Sequence, residues 1–475
     1  MSASSKTSVR FWSGLRTIGG TVVTVQYEDA KIVFDFGAAY NPAANVLDGQ
    51  VRLRQGALLH DYIRLGTLPG VDGLYEAEQL RGLSGIRPFD RERDARTAVF
   101  ISHLHYDHML GIGLIPEHIP VYMSRMSRRL YRRLHKIGEG VAGSRHRFQA
   151  MPGGLQPVRI GAIEVTALPV DHDILGACAF HIRTPDGTIL YTGDLRFHGN
   201  HPEWTEAMMA KAKELGADIL IIEGTMLNLP NDDGLPVDVK PADLAPSREL
   251  PEGWTREPDM PGLVANRLLA ANGLALVNTA PRNVERLVSM AEAARQAGRM
   301  AVFEPESAYL LHTMTACRDF LVYESDTTSR LLAAGKAPGW LRKTAIRSVL
   351  INAAGVNRSP SRYLLQNTYG NLLELLDLDT SGGIYVHSDG VPLGSFDPTY
   401  GKLLAFLESL GLPFAAVRCS GHAPAENLKY IADMIDPPTL VPLHSFHPEL
   451  LLPKSGVQLL PEYGRTYRLE GGRLL

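Results

Sequence analysis

Seven apolar segments of this sequence each run directly into a side chain that can bind a metal or transfer a proton. Each segment is a short run of apolar and β-branched residues, which is typical of a buried strand. The residues that follow them are Asp35, the group His103, His105, Asp107 and His108, then His172, Asp194, Glu223, His422 and His444. One polar residue after a strand means little, because loops are polar. Seven of them predict a fold that gathers ligands along one shared sheet edge.

The densest of these sites is the stretch SHLHYDH, which follows the apolar segment TAVFI. Alternate residues of an extended chain point the same way, so His103 and His105 can bind one ion. Asp107 and His108 lie just beyond, where a turn can direct them toward a second ion. Imidazole and carboxylate are good ligands for zinc and manganese. Two ions about 3.5–4 Å apart suit phosphodiester hydrolysis, and Asp194 is the natural candidate to bridge them.

Composition narrows the class of protein. The chain is 45% hydrophobic and 21% charged, with a net charge of −3, so no global charge signal points to nucleic acid or membrane. Three widely spaced cysteines favour a reducing cytoplasm over a disulfide framework. The sequence shows neither a signal-peptide core nor a run of about 18 apolar residues. We therefore expect a cytoplasmic protein without a membrane partner.

The pattern of predicted elements changes near the middle of the chain. Before residue 228, short strands and helices such as SRMSRRLYRRLHKIG predict a mixed, largely antiparallel sheet structure. Residues 228–262 are rich in Pro, Asp and Glu, which is typical of a long connection or a lid. Beyond them, strand-like segments alternate with helical ones, as in RMAVFEPE before SAYLLHTMTACRDFL. This alternation predicts a parallel α/β domain.

These motifs resemble those of the metallo-β-lactamase superfamily. SHLHYDHMLG resembles its metal motif, and FDFG, VDHD and TGDLRFHG match its other motifs in order. Three later motifs, IIEGT, CSGHA and PLHSFHPE, resemble the additional motifs of the β-CASP nucleases, with ribonuclease J and its relatives as the nearest branch. The resemblance covers most of the chain and is weak around residues 40–95 and 228–262.

The resemblance implies an α/β fold, in which a metallo-β-lactamase αββα sandwich is interrupted by an inserted β-CASP α/β domain. The expected boundaries are 1–228 and 413–475 for the two parts of the sandwich. Residues 229–412 would form the β-CASP domain, with the acidic, Pro-rich connection at its start. The active site would lie in the cleft between the two domains.

The resemblance also implies a ligand set for two zinc ions, with manganese as an alternative metal. The set is His103, His105 and His172 for the first ion and Asp107, His108 and His444 for the second, with Asp194 bridging. Asp35 would lie behind the ligands and fix one imidazole.

By the same resemblance, the protein would be an RNA-processing or RNA-degrading nuclease. A hydroxide held between the two ions would attack phosphorus, and His422 would protonate the leaving oxygen. Glu223 would orient His422, and Asp107 would complete the catalytic group. Products of the family carry a 5′-phosphate and a 3′-hydroxyl. Single-stranded RNA is the expected substrate, and DNA is an open alternative.

Some features differ from ribonuclease J. About thirty residues follow the last metal motif, so a homodimer is not expected to form through that family's extra C-terminal domain. The family's Ser-rich phosphate loop corresponds to VHSDGVPLGSFDP, where Ser388 and Gly394 are candidate phosphate contacts. Ser420 and Gly421 are further candidates, through hydroxyl and backbone N–H groups.

A predicted helix at SRMSRRLYRRLHK carries six arginines and lysines without an acidic residue. Arg129 and Arg132 of this helix are candidate contacts to an RNA backbone. The alternative is an ordinary solvated helix face.

Two other functions fit parts of the sequence. The superfamily fold also supports hydrolysis of a small ester, thioester, lactone or cyclic phosphate, and fold alone does not choose a substrate. A non-catalytic RNA-binding subunit would be expected to lack ligands, whereas every ligand position here is filled. The long α/β insertion and the Glu223–His422 pair favour a nuclease.

Overall fold

The structure is a computed structural model that describes residues 6–39, 41, 46, 51–143, 148–227 and 244–475. Within those ranges the strands form three sheets, of eight, seven and seven strands. Across the same ranges, every helix is too short or too polar to cross a membrane.

The first half of the chain supplies most of two sheets. Its strands are β1 (Ser8–Ser13), β2 (Val22–Tyr27), β3 (Ala30–Phe34), β4 (Arg96–Ile101), β5 (Val121–Met123), β6 (Gln149–Ala150), β7 (Val158–Ile160), β8 (Ile163–Pro169), β9 (Cys178–Thr184), β10 (Gly187–Tyr191) and β11 (Ile219–Glu223). Its helices are α1 (Leu58–Arg64), α2 (Ala77–Leu80), α3 (Tyr106–Met109), α4 (Arg125–Lys136) and α5 (Pro202–Leu215).

The middle of the chain builds the third sheet. Its strands are β12 (Ala275–Asn278), β13 (Met300–Phe303), β14 (Leu321–Tyr323), β15 (Leu350–Ile351), β16 (Tyr363–Gln366), β17 (Ile384–His387) and β18 (Phe414–Ala416). Its helices are α6 (Met260–Leu269), α7 (Val284–Gln296), α8 (Pro305–Met314), α9 (Asp326–Ala333), α10 (Gly339–Arg347), α11 (Ala353–Asn357) and α12 (Pro398–Ser409). The order is β15-β14-β13-β16-β12-β17-β18, and every pairing is parallel.

The last part of the chain returns to the first two sheets. Its elements are α13 (Ala425–Ile435), β19 (Thr439–Leu443), β20 (Val457–Gln458), β21 (Thr466–Glu470) and β22 (Arg473–Leu474). The eight-stranded sheet has the order β22-β21-β1-β2-β3-β4-β5-β6, and its partner has the order β20-β19-β11-β10-β9-β8-β7. Strand β19 pairs in parallel with β11, so sequence-distant strand ends lie side by side.

The two mixed sheets pack face to face. Alternating residues of β1–β4, such as Phe11 and Phe34, share one buried core with residues of β8–β11 and β19, such as Phe180 and Ile221. The outer face of the first sheet is covered by α1 and α4, and that of the second by α5 and α13. The fold is therefore an α/β sandwich with helices outside, as predicted. The third sheet is covered on both faces, by α6–α8 on one side and α11–α12 on the other.

The predicted domain boundaries stay a prediction. The division at 228 lies outside the described residues. The division at 412 falls just before β18, which pairs with β17 in the third sheet.

One segment expected as a single helix is helical only in its first part. In SAYLLHTMTACRDFL, the helix α8 ends at Met314, and β14 begins at Leu321. The Arg318 guanidinium donates to the carbonyls of Leu311 and His312, which satisfies the last turn of the helix from outside. These bonds pair two of the last helical carbonyls at the point where the chain leaves the helix.

Candidate metal centre and active site

The predicted metal ligands all lie beyond the ends of strands in the two mixed sheets. His103 and His105 follow β4, Asp107 and His108 lie in α3, His172 follows β8, Asp194 follows β10, and His444 follows β19. The structure brings all seven together in two adjacent groups. The first cluster is His103, His105 and His172, and the second cluster is Asp107, His108, Asp194 and His444. Within each group one ligand atom per residue lies within 4.8 Å of the others.

Asp194 is shared geometrically by the two clusters. Its Oδ2 atom lies 3.1 Å from Nε2 of His108 and 3.7 Å from Nε2 of His444, both in the second cluster. The same oxygen lies 3.6 Å from Nε2 of His103 in the first cluster. This oxygen therefore lies between the two clusters, and its bridging role stays a prediction.

The local backbone explains how α3 comes so close to β3. Phe36 donates its N–H to the carbonyl of His108 at 2.8 Å, and Gly20 donates to that of Asp107 at 2.9 Å. A Cβ atom on Gly37 would lie 1.7 Å from the Asp107 carbonyl oxygen. Only glycine fits at this position of the FDFG motif, so the motif sets the position of the ligand-bearing turn.

The donor atoms of the two clusters fit divalent cations. Nε2 of His103 and Oδ1 of Asp194 are buried, and they have no hydrogen-bond partner among the described residues. Buried polar atoms are normally paired, so these atoms are left for a cation. Imidazole nitrogens combined with carboxylate oxygens form a donor set that zinc and manganese accept.

Burial sets most of the protonation states that metal binding needs. Burial, together with the imidazoles of His108 and His172, lowers the pKa of His103 well below its ordinary value. Burial also lowers the pKa of His172 to about 4. Burial opposes ionisation of Asp194, but the imidazoles of His108 and His444 hold its pKa well below the usual range. Neutral imidazoles and an ionised carboxylate are the forms that bind metals.

His108 is the exception. Burial opposes its charged form, but the carboxylates of Asp194 and Asp107 raise the pKa of His108 well above its ordinary value. A proton and a cation compete for the same position between these groups. Metal binding is therefore expected to release a proton from this imidazole.

Asp35 supports the second cluster from behind. Its Oδ2 accepts Nδ1–H of His108 at 2.7 Å, the hydroxyl of Ser102 at 2.7 Å and the hydroxyl of Tyr191. The bond from Nδ1 directs Nε2 of His108 toward Asp194. The Asp35 backbone has φ 54°, a left-handed conformation that asparagine also tolerates.

The Asp35→Asn variant should therefore fold but hold metal about 10–100-fold more weakly, the usual effect of losing a carboxylate behind a metal-binding imidazole. Metal retained against a competing chelator measures the effect. The Asp29→Asn change, at the exposed tip before β3, is the matched control and should retain metal normally. Equal retention by both variants would remove this role from Asp35.

Glu223 and His422 form a pair next to the second cluster. Nδ1 of His422 lies 2.9 Å from Oε2 of Glu223 and 3.8 Å from Oδ2 of Asp194. The Glu223 carboxylate is fixed in turn by backbone N–H groups of Leu195 and Thr225, at 3.0 and 3.3 Å. Burial opposes the charged imidazole, but the carboxylates of Glu223 and Asp194 raise the pKa of His422 to about 10.

Four predicted phosphate contacts have other partners in the structure. Ser388 is fully buried, and its Oγ accepts a hydrogen bond from Arg286 at 2.9 Å. The Gly394 carbonyl accepts from Asp397 in the turn before α12. Ser420 Oγ accepts the backbone N–H of His422, and the Gly421 carbonyl accepts Nδ1–H of His172. Their phosphate contacts stay predictions.

Arg129 and Arg132 lie on the exposed side of α4. The Arg129 guanidinium donates to the carbonyl of Thr313 at 2.8 Å, which ties α4 to α8 of the third-sheet region. The basic helix thus lies where the sandwich meets the inserted region.

Sequence reasoning missed four charged residues around the site. Asp173 has a carboxylate oxygen 3.2 Å from Nε2 of His172, and it directly follows that ligand in VDHD. Arg196, Glu257 and Arg286 form a buried ion cluster. Arg196 follows Asp194 by two residues, which was an available signal, but nothing local marks Glu257 or Arg286.

The chain resembles known proteins over most of its length. A family model described as a beta-lactamase superfamily domain matches residues 69–234. Ribonuclease J of Pyrococcus abyssi is 24% identical over 444 residues, which are 91% of this chain and 88% of that protein. Ribonuclease J of Mycobacterium tuberculosis is 25% identical over 398 residues, 79% of this chain and 62% of that protein.

A solved structure agrees over almost the whole chain. The crystal structure of a protein of unknown function from Enterococcus faecalis V583 is 30% identical, with a TM-score of 0.76, and the match covers 98% of this chain and 100% of that one. The match to the Pyrococcus abyssi protein covers 91% of this chain, so it extends into all three sheets. The superfamily-domain match and the ribonuclease J relatives, which cover most of the chain, together support a metallo-β-lactamase family of the β-CASP, ribonuclease J-like type.

Proposed function

We propose that this protein is a metal-dependent ribonuclease that cuts phosphodiester bonds of single-stranded RNA. The observation that carries the proposal is the Glu223–His422 pair at 2.9 Å, placed 3.8 Å from Asp194 beside the two clusters. A metal centre alone would serve many hydrolases. A carboxylate-held imidazole next to the centre adds the proton donor that an alkoxide leaving group needs.

The two clusters and the residues behind them would bind and position the metal ions. Zinc or manganese bound by the two clusters would supply an activated water and neutralise charge on the phosphate. Asp194 would set the spacing between the two positions, and Asp35 would keep the His108 imidazole aimed at the centre. His172 is aimed from behind by the Gly421 carbonyl, which accepts its Nδ1–H at 2.6 Å.

His422 would transfer the proton to the leaving oxygen. Its Nδ1 donates to Glu223, so Nε2 is the nitrogen left to face a substrate. Because neighbouring carboxylates raise its pKa, the imidazole is protonated near neutral pH. Cations bound in the clusters would oppose this charge and bring the pKa closer to neutrality, which suits a general acid.

A substrate panel tests the proposal. The purified protein is offered 5′-phosphorylated single-stranded RNA, DNA of the same sequence and a generic thioester, each with and without chelator. Chelator-sensitive cleavage of RNA, to products with 5′-phosphate and 3′-hydroxyl ends, is expected. Cleavage confined to DNA or to the thioester would replace the ribonuclease proposal. Tight RNA binding without cleavage by the metallated protein would favour a non-catalytic subunit.

Exposed arginines of α4 are proposed to contact the RNA backbone. Replacing both Arg129 and Arg132 with alanine should weaken RNA binding. The slope of log K against log salt concentration should become shallower, by the amount expected for the loss of about two phosphate contacts. The rate at saturating RNA should stay unchanged, because neither residue touches the clusters. The measurement is RNA affinity across a series of salt concentrations.

The matched control removes the same charge elsewhere. The double change Lys211→Ala and Lys213→Ala, on α5 outside the second sheet, should leave the salt slope unaltered. If both double variants bind RNA alike, α4 is an ordinary solvated helix.

A further inference from the structure

Glu257, near the end of the acidic connection (residues 228–262), is a buried carboxylate that belongs to neither cluster. Glu257 is 1% exposed, although it lies in a segment rich in proline and charge. Its backbone N–H donates to the carbonyl of His198 at 2.8 Å. The ring of Trp254, three residues earlier, packs edge-on against the His198 ring at 5.5 Å. The end of the connection is therefore fixed against the segment that follows Asp194.

The Glu257 carboxylate binds two buried arginines from different parts of the fold. Arg286, in α7, donates from Nε at 2.5 Å and from Nη2 at 2.7 Å, a two-pronged pair. Arg196, after β10, donates from Nη1 at 3.2 Å. Both guanidinium groups are almost fully buried. A buried arginine needs a carboxylate partner, and Glu257 is a partner that the two arginines share.

Both arginines also hold the loop that carries His422. Arg196 Nη1 donates to the Ser420 carbonyl at 2.8 Å, and Arg286 Nη2 donates to the Cys419 carbonyl at 3.3 Å. Nε2–H of His198 donates to the same Ser420 carbonyl at 3.0 Å. These donors fix the backbone of the loop just before His422.

The opposite side of the loop is fixed by a carboxylate from the third-sheet region. Asp389 accepts the backbone N–H of Cys419 at 3.0 Å and pairs with Arg286 at 2.7 Å. The thiol of Cys419 donates to the carbonyl of Thr255, in the connection, at 3.3 Å. The loop is thus clamped between the sandwich, the inserted region and the connection.

We propose that Glu257 is a positioning residue for His422: through Arg196 and Arg286 it fixes the Cys419–His422 backbone, so that the imidazole meets the leaving oxygen. This inference rests on the proposed function. A displacement of about 1 Å in a reacting group can slow a reaction about 100-fold, so a small shift of this loop is sufficient. Among the described residues, Glu257 contacts no member of either cluster. A substitution at Glu257 should therefore change the rate without changing metal binding.

Two substrates separate positioning of a proton donor from general damage. The leaving alkoxide of RNA needs a proton, whereas the p-nitrophenolate of bis(p-nitrophenyl) phosphate leaves without one. In the Glu257→Gln variant, kcat on RNA should fall about 10–100-fold, with KM and metal content unchanged. Hydrolysis of the aryl substrate should stay within about threefold of the wild type. A merely structural role would slow both substrates together.

A double-variant cycle tests whether Glu257 acts through His422. The combination of Glu257→Gln with His422→Ala should cleave RNA no more slowly than His422→Ala alone. Glu292→Gln, on the exposed side of α7 where Glu292 pairs with Arg295, is the matched control and should behave as wild type. Additive losses in the double variant would overturn the inference.

A second variant tests the same inference if the Glu257→Gln protein does not fold. Arg196→Lys keeps a cation but removes the guanidinium Nη1 group, which donates to both Glu257 and the Ser420 carbonyl, and it should show the same split between substrates. Equal rates on RNA for this variant and the wild type would overturn the positioning role alone. A wild-type protein that does not cleave RNA would overturn the proposed function instead.

Discussion

The Asp194→Asn variant is expected to cleave RNA at least about a thousandfold more slowly than the wild type and to lose bound metal. The Oδ2 of this residue lies within 3.1–3.7 Å of imidazoles of both clusters. Asparagine keeps the shape but removes the charge that two cations would share. A loss of about 4 kcal/mol in transition-state stabilisation corresponds to this rate effect. Metal content, by elemental analysis, and the single-turnover rate on RNA are the measurements.

The control for this variant is Asp29→Asn, which removes a carboxylate paired with Arg96 on the surface. It should keep full metal content and full rate, because a surface ion pair contributes little. An Asp194→Asn protein with two ions per chain and the wild-type rate would show that the bridging assignment is wrong.

The His422→Ala variant should keep its metal but cleave RNA at least about 100-fold more slowly, the usual scale for losing a general acid. The pH profile gives a second readout. Only protonated His422 can donate, so the wild-type rate should fall as pH rises through its raised pKa. Cations near the imidazole would place this fall below pH 10. The variant should lack this alkaline decline.

His447→Ala is the matched control, because His447 lies three residues beyond the ligand His444 but pairs with Glu449 at the surface. Its rate and pH profile should match the wild type. If His422→Ala retains the wild-type rate, or if its profile keeps the alkaline decline, His422 is not the proton donor.

The strand-end pattern predicted the positions of the site because its cause is local. A buried strand must end at the sheet edge, so a ligand directly after it is placed there by the strand alone. The strands β4, β8, β10 and β19 appear within the predicted segments, and their following residues meet. Pairing of β11 with β19 explains how His444 reaches Asp107, although more than three hundred residues separate them.

The residues that sequence reasoning missed depend on contacts without a local pattern. Glu257 lies in a segment with the composition of an exposed connection, yet two arginines from distant elements bury it. The contact between the Ser388 hydroxyl and buried Arg286 likewise joins residues about a hundred positions apart, so no local pattern indicates it. Burial of a charge is decided by its partners, and their approach is a property of the tertiary fold.

The end of helix α8 also depends on a contact that the hydrophobic pattern does not show. The apolar pattern of SAYLLHTMTACRDFL continues past Met314, so periodicity alone extends the helix. Arg318 folds back onto the last helical carbonyls and ends it there. A side chain that folds back onto the last helical carbonyls is not visible in the hydrophobic pattern.

Titration of metal-free protein with zinc or manganese, while RNA cleavage is followed, tests the central claim most directly. The account predicts that cleavage is absent without metal, rises with added ion and reaches its maximum at two ions per chain. Chelator should abolish the activity, and added metal should restore it. Full RNA cleavage by protein shown to be free of metal, or intact RNA with both ions bound, would contradict the account.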